Sequence, residues 1–127
     1  ETYGVNLLER AKEKALTDGK QDTWKKVLVG KYLEINIPEE VTINRICLRE
    51  PIALKGERIE EFRIEVLSGG KWKEAASGFN VGRRRIVRIP PTNISGLRIK
   101  VAKARSEEIY FSEVSAHLAR QGPRLGL

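Results

Sequence analysis

The most constraining feature of the chain is a strict alternation of apolar and charged residues that ends at a pair of glycines. Residues 62–66 alternate in this way, which is the spacing of a β-strand with one buried and one solvated face. Gly69-Gly70 supplies the positive φ angles that a tight hairpin needs. We therefore predict an antiparallel β-meander, in which 71–76 is the second strand and 84–89 the third. Pro90-Pro91 is expected to end it, because proline has no N–H for a strand ladder.

Similar patterns recur along the rest of the chain. They predict further strands at 31–37, 41–49, 97–102 and 109–118, with Pro38 ending the first of these. The apolar spacing slips between Ile43 and Ile46, which indicates a bulge near Asn44. Short strands separated by Gly, Pro, Asn and Ser turns predict an all-β fold, an antiparallel β-sandwich or jelly roll.

The length and composition favour a single domain. With 127 residues and 40% hydrophobic content, we expect one globular domain over 1–120 and a tail or linker at 121–127. Residues 6–16 have the spacing of a short helix, which Asn6 could cap. No apolar run approaches the roughly 20 residues of a membrane helix, so no membrane partner is expected. The chain begins at Glu1 without a methionine, and we interpret it as a piece of a longer protein.

Residues that could carry catalysis are scarce. Cys47, the only cysteine, lies in an apolar strand and is interpreted as a small buried hydrophobe. His117, the only histidine, is interpreted as a half-exposed structural residue. The sequence has no phosphate loop and no plausible Ser/His or Cys/His pair, so we predict a non-catalytic domain. The net charge of +7 is dispersed among acidic residues, and its one concentration, 83–85 with Arg88, is interpreted as a solvated face.

Two sets of residues resemble known families. Residues 15–24, 31–37 and 42–46 resemble the factor V/VIII type C, or discoidin-like, family, whose galactose-binding-like β-sandwich recurs as a carbohydrate-binding module on glycosidases. The segment from Glu50 to Pro91, with the motifs EPI, GERIEEF, GRRRI and RIPP, is similar to the C-terminal β-sandwich of bacterial α-L-fucosidases. The resemblance implies an antiparallel jelly-roll β-sandwich that serves as an accessory module of a secreted or periplasmic glycoside hydrolase.

A structural calcium ion is expected beside the loop at 17–23. This loop is dense in oxygen ligands, which Ca²⁺ prefers, and the resembling modules hold calcium at this position. Asp18, Thr23 and Glu113 are the expected ligands. The alternative is that Asp18 only caps its own turn through a side-chain hydrogen bond.

A sugar site would need an aromatic platform and polar groups fixed at a loop rim. Trp24, Arg49 and Glu50 are the candidates, with Trp24 open between core and rim, whereas Trp72 is interpreted as a core residue. Glu50 could instead form a loop-bracing ion pair with Arg58. The expected partners are a galactose- or fucose-containing glycan and the catalytic domain of the parent chain, and not nucleic acid. The alternative functions are a purely structural or protein-interaction β-sandwich and polyanion binding through the basic face.

Overall fold

The structure is a computed structural model that describes residues 6–8 and 24–119. Most of the helix predicted at 6–16, the loop with Asp18 and Thr23, and the tail at 121–127 lie outside these residues. The described elements are β1 (Lys25–Leu28), β2 (Tyr32–Arg49), α1 (Ile52–Lys55), β3 (Ile59–Ser68), β4 (Lys71–Phe79), β5 (Arg85–Ala104), β6 (Glu108–Phe111) and β7 (Glu113–His117).

The strands form two antiparallel sheets around one core. Five strands pair in the order β4-β3-β5-β2-β7, and β1 pairs with β6. Phe62 and Leu97 of the large sheet and Ile109 and Phe111 of the small sheet are fully buried in the same hydrophobic cluster. The predicted all-β antiparallel sandwich is therefore confirmed. No helix of the described residues is long and apolar enough to cross a membrane.

The hairpin at the start of the predicted meander is present, but its third strand lies elsewhere. β3 pairs with β4 across Gly69 and Gly70, whose φ angles of 61° and 79° are those of a two-residue turn. The strand that begins β5 pairs with β2 and not with β4, so the three-strand meander is wrong. The reason is a long-range contact: Gly82 bonds to Glu50 and holds the loop before β5 at the end of β2.

The predicted stops at prolines are also wrong, because β2 and β5 continue through them as two long strands. Residues 37–40, with Pro38, bulge opposite Ser95, and residues 89–91, with both prolines, bulge opposite Asn44. A proline inside a bulge costs no ladder hydrogen bond. The bulge predicted near Asn44 is confirmed, and the buried Asn44 side chain bonds to the backbone of Ala119 through both its oxygen and its nitrogen.

The strand predicted at 109–118 is divided into β6 and β7, which belong to different sheets. Ser112 separates them, and its backbone N–H and its hydroxyl both donate to the carbonyl of Arg49. This switch between sheets brings Glu113 opposite Arg49 in the ladder between β2 and β7.

Candidate functional site

A cleft of about 340 Å³ opens at the end of β2, beside the loop that leads into β5. Three arginines, one glutamate and two apolar residues of α1 line it. The lining residues are Arg49, Glu50, Ile52, Ala53, Arg83 and Arg84. The structure thus brings together two of the three residues predicted to bind carbohydrate, and it adds an arginine pair that the sequence pattern had assigned to a solvated face.

One short helix shapes the wall of this cleft. Pro51 precedes α1 and Gly56 ends it, with a φ of 75° and an N–H that donates to the carbonyl of Ile52. A proline at the start and a glycine at the end are the residues that favour such a turn. The sequence PIALKG therefore forms a single short helix, and two apolar residues of α1 line the cleft together with the arginines.

Glu50 is a buried carboxylate that binds backbone groups on two other segments. It is only 3% exposed. Its Oε1 accepts the N–H groups of Arg58 (2.7 Å) and Ile59 (3.2 Å), and its Oε2 accepts the N–H of Gly82 (2.9 Å). The predicted ion pair between Glu50 and Arg58 is wrong, because Glu50 accepts the backbone N–H of Arg58 and does not contact its guanidinium group. Glu50 joins the end of β2, the start of β3 and the loop before β5 in one clamp.

The surroundings of Glu50 act on its charge in opposite directions. Burial raises the pKa of the carboxyl above its ordinary value, and the nearby charge of Glu57 adds to this rise. The backbone N–H groups of Arg58, Gly82 and Ile59 oppose it, since they favour the charged form. The net direction is upward, so the folded protein binds a proton at Glu50 more readily than the unfolded chain does.

Arg49 is held at the mouth of the cleft by an acidic neighbour. Its Nε lies 3.6 Å from Glu113 Oε1, and both side chains are about a quarter exposed. That Nε atom is buried and has no hydrogen-bond partner among the described residues. Arg83 and Arg84, which also line the cleft, are exposed.

A row of polar side chains runs along β7 from Glu113. The Ser115 hydroxyl donates to Glu113 Oε2 (2.6 Å), and His117 Nε2 lies 3.0 Å from the same hydroxyl oxygen. Because the serine proton is directed to the carboxylate, the imidazole is the donor to serine. The order carboxylate, hydroxyl, imidazole differs from that of a catalytic triad, in which histidine accepts the serine proton. His117 is buried, so its interpretation as half-exposed is wrong, and burial raises the pKa of the Cys47 thiol opposite Ser115, as expected of an inert buried cysteine.

The predicted calcium site is only partly within the described residues. Asp18 and Thr23 lie outside them. Glu113 is described, and its carboxylate lies beside Arg49 and Ser115. Calcium binding stays a prediction: it expects a higher melting temperature in calcium than in chelator, and loss of that difference in Asp18→Ala.

Trp24, the third predicted carbohydrate-binding residue, belongs to a neighbouring cation–aromatic cluster. Its ring meets Tyr110 edge-on at 6.5 Å, and Lys55 Nζ lies 5.0 Å from the Trp24 centroid and 4.9 Å from that of Tyr110. The Arg58 guanidinium is 5.2 Å from the Tyr110 ring. Trp24 does not line the cleft, and it is half-buried, between the two predicted alternatives. Lys55 and Tyr110 were missed because only the fold brings these distant positions together.

Trp72 lies on the outer face of the large sheet and is not the core residue predicted. It pairs with Leu67 and shares the face of Glu65, opposite the buried Val66. The Arg98 guanidinium stacks 4.3 Å from Trp72 and 4.2 Å from Tyr32. Its Nε donates to Glu65 Oε1 at 2.7 Å. Partial desolvation raises the pKa of Glu65, but the bonds from Arg98 and Tyr32 outweigh it and lower that pKa.

Comparisons with known proteins point to one group of enzymes. No family model matches the chain. An α-L-fucosidase of Arabidopsis thaliana is 33% identical over 81 residues, which cover 61% of this chain and 15% of that protein. A Bacteroides ovatus crystal structure assigned as an α-L-fucosidase is 28% identical with a TM-score of 0.76, over 90% of this chain and 18% of that one. The similarity to α-L-fucosidases implied by the sequence is confirmed, and the chain spans only a small share of each relative.

The fold is also that of a carbohydrate-binding module. The family 32 module of C. perfringens NanJ, solved in complex with galactose, has a TM-score of 0.71 and covers 80% of this chain and 81% of that one. Its identity is 14%, so this likeness shows the fold alone. The antiparallel galactose-binding-like jelly roll expected from the sequence is therefore confirmed.

Proposed function

We propose that this chain is a non-catalytic, carbohydrate-binding-type accessory module of an α-L-fucosidase. The observation that carries the proposal is the unequal coverage of the comparison, in which 90% of this chain matches 18% of the Bacteroides chain. The family 32 module of NanJ has the same fold, and the match to this chain covers 81% of that module. On this proposal the parent is a secreted or periplasmic enzyme, and its catalytic domain is a partner of this module.

The cleft at the end of β2 is the proposed glycan site. It is open to solvent, combines apolar residues of α1 with the guanidinium groups of Arg49, Arg83 and Arg84, and has a rim fixed by Glu50. Sugar sites combine apolar contact with a few fixed polar groups in this way. The shallow rim offers few such contacts, so we expect dissociation constants of about 0.1 to 1 mM or weaker.

Ligand-observed NMR tests this proposal. Saturation transfer from the protein to galactose- or fucose-terminated oligosaccharides should be seen at millimolar concentration, and an unrelated disaccharide at the same concentration is the control. The chain alone should release no product from an aryl α-L-fucoside. Absence of transfer to every saccharide would exclude glycan binding, and fucoside hydrolysis by the chain would contradict a non-catalytic role.

A structural role in the parent enzyme is the second candidate, and one observation favours it. Phe79, at the end of the edge strand β4, is 67% exposed. An exposed aromatic residue on an edge strand suits contact with another domain. If β4 faces the catalytic domain, Phe79→Ser should lower the melting temperature of the full-length enzyme but not that of this chain alone. Equal effects in both would contradict the structural role.

A further inference from the structure

We propose that the cleft binds a saccharide through an oxyanion that the saccharide carries, a sulfate ester or a carboxylate, in preference to a neutral sugar. This inference rests on the proposed function, since it specifies the glycan class. The observation behind it is the hydrogen-bonding inventory of the cleft lining, whose arginines offer donors while its one carboxylate, Glu50, already accepts backbone N–H groups.

The donors are the guanidinium groups of Arg49, Arg83 and Arg84. A guanidinium has five N–H donors, no acceptor, and a charge that does not titrate in proteins. Arg84 also reaches the thiol of Cys47. Arg83 forms no ion pair with a carboxylate of the described residues. Its planar donor fork is therefore suited to bidentate contact with an oxyanion.

The one carboxylate that lines the cleft is committed elsewhere. Both oxygens of Glu50 accept backbone N–H groups. Glu113, outside the lining, accepts from Ser115 through Oε2, and its Oε1 lies 3.6 Å from Arg49 Nε, too far for a hydrogen bond. A neutral sugar hydroxyl donates as well as accepts, so its proton would find no free side-chain acceptor in the lining. A sulfate or carboxylate group only accepts, which matches the cleft.

Arg49 contributes a second observation. Its Nε is buried and has no hydrogen bond within the described part of the chain, and the nearest carboxylate oxygen, on Glu113, is 3.6 Å away. A buried donor without an acceptor is destabilising, and an oxyanion in the cleft would offer it one. A competing carboxylate lies beside Gly82, the neighbour of Arg83 in the chain, since a Cβ placed on Gly82 would be 3.4 Å from Glu57 Oε2.

Matched pairs of sugars test the inference on the intact chain. Galactose 6-sulfate and galacturonic acid, each compared with galactose in an NMR titration, distinguish the two oxyanions. We expect either charged sugar to bind about tenfold or more tightly than galactose, because charge-assisted hydrogen bonds are roughly twice as strong as neutral ones. The affinity should fall steeply as salt is raised.

Substitutions test whether the preference for charged sugars arises in the cleft. Arg83→Gln with Arg84→Gln should remove the preference for the charged sugars. The control is Arg63→Gln with Lys73→Gln, which changes the net charge equally at exposed positions of β3 and β4 and should keep the preference. Glu57→Gln should strengthen binding of the charged sugars, because it removes the competing carboxylate.

The possible outcomes separate this inference from the proposed function. Equal affinity for galactose and its charged counterparts would contradict the preference for an oxyanion and leave the proposed glycan binding intact. Inorganic sulfate that binds as tightly as galactose 6-sulfate would overturn the role of the saccharide. A DNA oligonucleotide that binds more tightly than the charged sugars would replace a glycan by nucleic acid. If no sugar binds, charged or neutral, both the inference and glycan binding fail.

Discussion

Glu50, which directly follows β2, and Glu65, in β3, stabilise their surroundings in different ways. Glu50 is buried and accepts three backbone N–H groups from segments that are 8, 9 and 32 positions away in the sequence. Glu65 lies on the outer face, where its partners are the side chains of Arg98 and Tyr32. One carboxylate fixes the path of the backbone, and the other orders side chains on a surface that is already formed.

The difference explains why the two carboxyl groups titrate in opposite directions. Burial dominates at Glu50 and raises its pKa. At Glu65 desolvation is the largest single influence, but the hydrogen bonds from Arg98 and Tyr32 and the nearby cations together outweigh it and lower the pKa. The cleft forms beside Glu50, whose carboxyl group is removed from solvent. Carboxyl groups with a pKa perturbed in this way are more common at functional sites than on open sheet faces.

The largest expected effect distinguishes the two glutamates by stability. Glu50→Ala leaves three N–H groups without an acceptor, two of them buried and one part-buried, and we expect the free energy of unfolding to fall by about 3 kcal/mol or more. Glu65→Ala is the matched control and should cost about 1 kcal/mol or less, as partly exposed pairs do. Urea unfolding of both variants measures this, and equal losses would contradict the clamp.

A smaller effect is expected from the contact between Glu65 and Arg98. A double-mutant cycle with Glu65→Gln and Arg98→Gln should give a coupling energy of about 0.5–1 kcal/mol, because both side chains are only about a fifth exposed. Arg98→Lys should lose most of this stabilisation, since lysine keeps the charge but does not stack between two rings. A coupling near zero would show that the pair is incidental.

The smallest effects are those on pH dependence, where the two glutamates should have opposite signs. Because the pKa of Glu50 is raised in the folded protein, its contribution to stability is complete at pH values below the pKa of the unfolded chain. That contribution is lost as the pH rises through the pKa of the folded protein. The lowered pKa of Glu65 makes its contribution present above the unfolded value and lost as pH falls through the folded one.

Melting temperatures between about pH 3 and pH 7 test these signs, because carboxyl groups titrate in that range. Compared with the unsubstituted chain, Glu65→Gln should lessen the loss of stability toward low pH. Glu50→Gln should lower stability throughout, since the amide nitrogen cannot accept the Gly82 N–H, and should lessen the decline as pH rises above the ordinary glutamate pKa. The same change of slope in both variants would contradict the assignment.

The same two residues show which parts of the structure the sequence could predict. The hairpin of β3 and β4 follows from local alternation and two glycines, so it was predicted. The position of β5 depends on Gly82 binding Glu50, a contact 32 positions apart that no local pattern reveals. Trp72 was misplaced because its pairing with Leu67 puts it on the outer face, and face depends on register.

The candidate site was predicted in part for the same reason. Arg49 and Glu50 were predicted as polar groups at a loop rim, and both line the cleft. The role of Glu50 was not foreseeable, because its partners are backbone groups that carry no residue identity. Arg83 and Arg84 were predicted to form part of a solvated face, with Arg84 at the start of the third strand, whereas the chain turns before β5 and both residues line the cleft.

The most direct test of the central claim, that the functional surface lies at the Glu50 clamp, is the location of amide shifts on glycan binding. On addition of galactose- or fucose-terminated oligosaccharides, we expect the amide resonances of residues 49–56 and 80–84 to move, and those beside Tyr32, Trp72 and Arg98 to stay. Shifts confined to the Tyr32–Trp72 face, with none around Glu50, would contradict the claim.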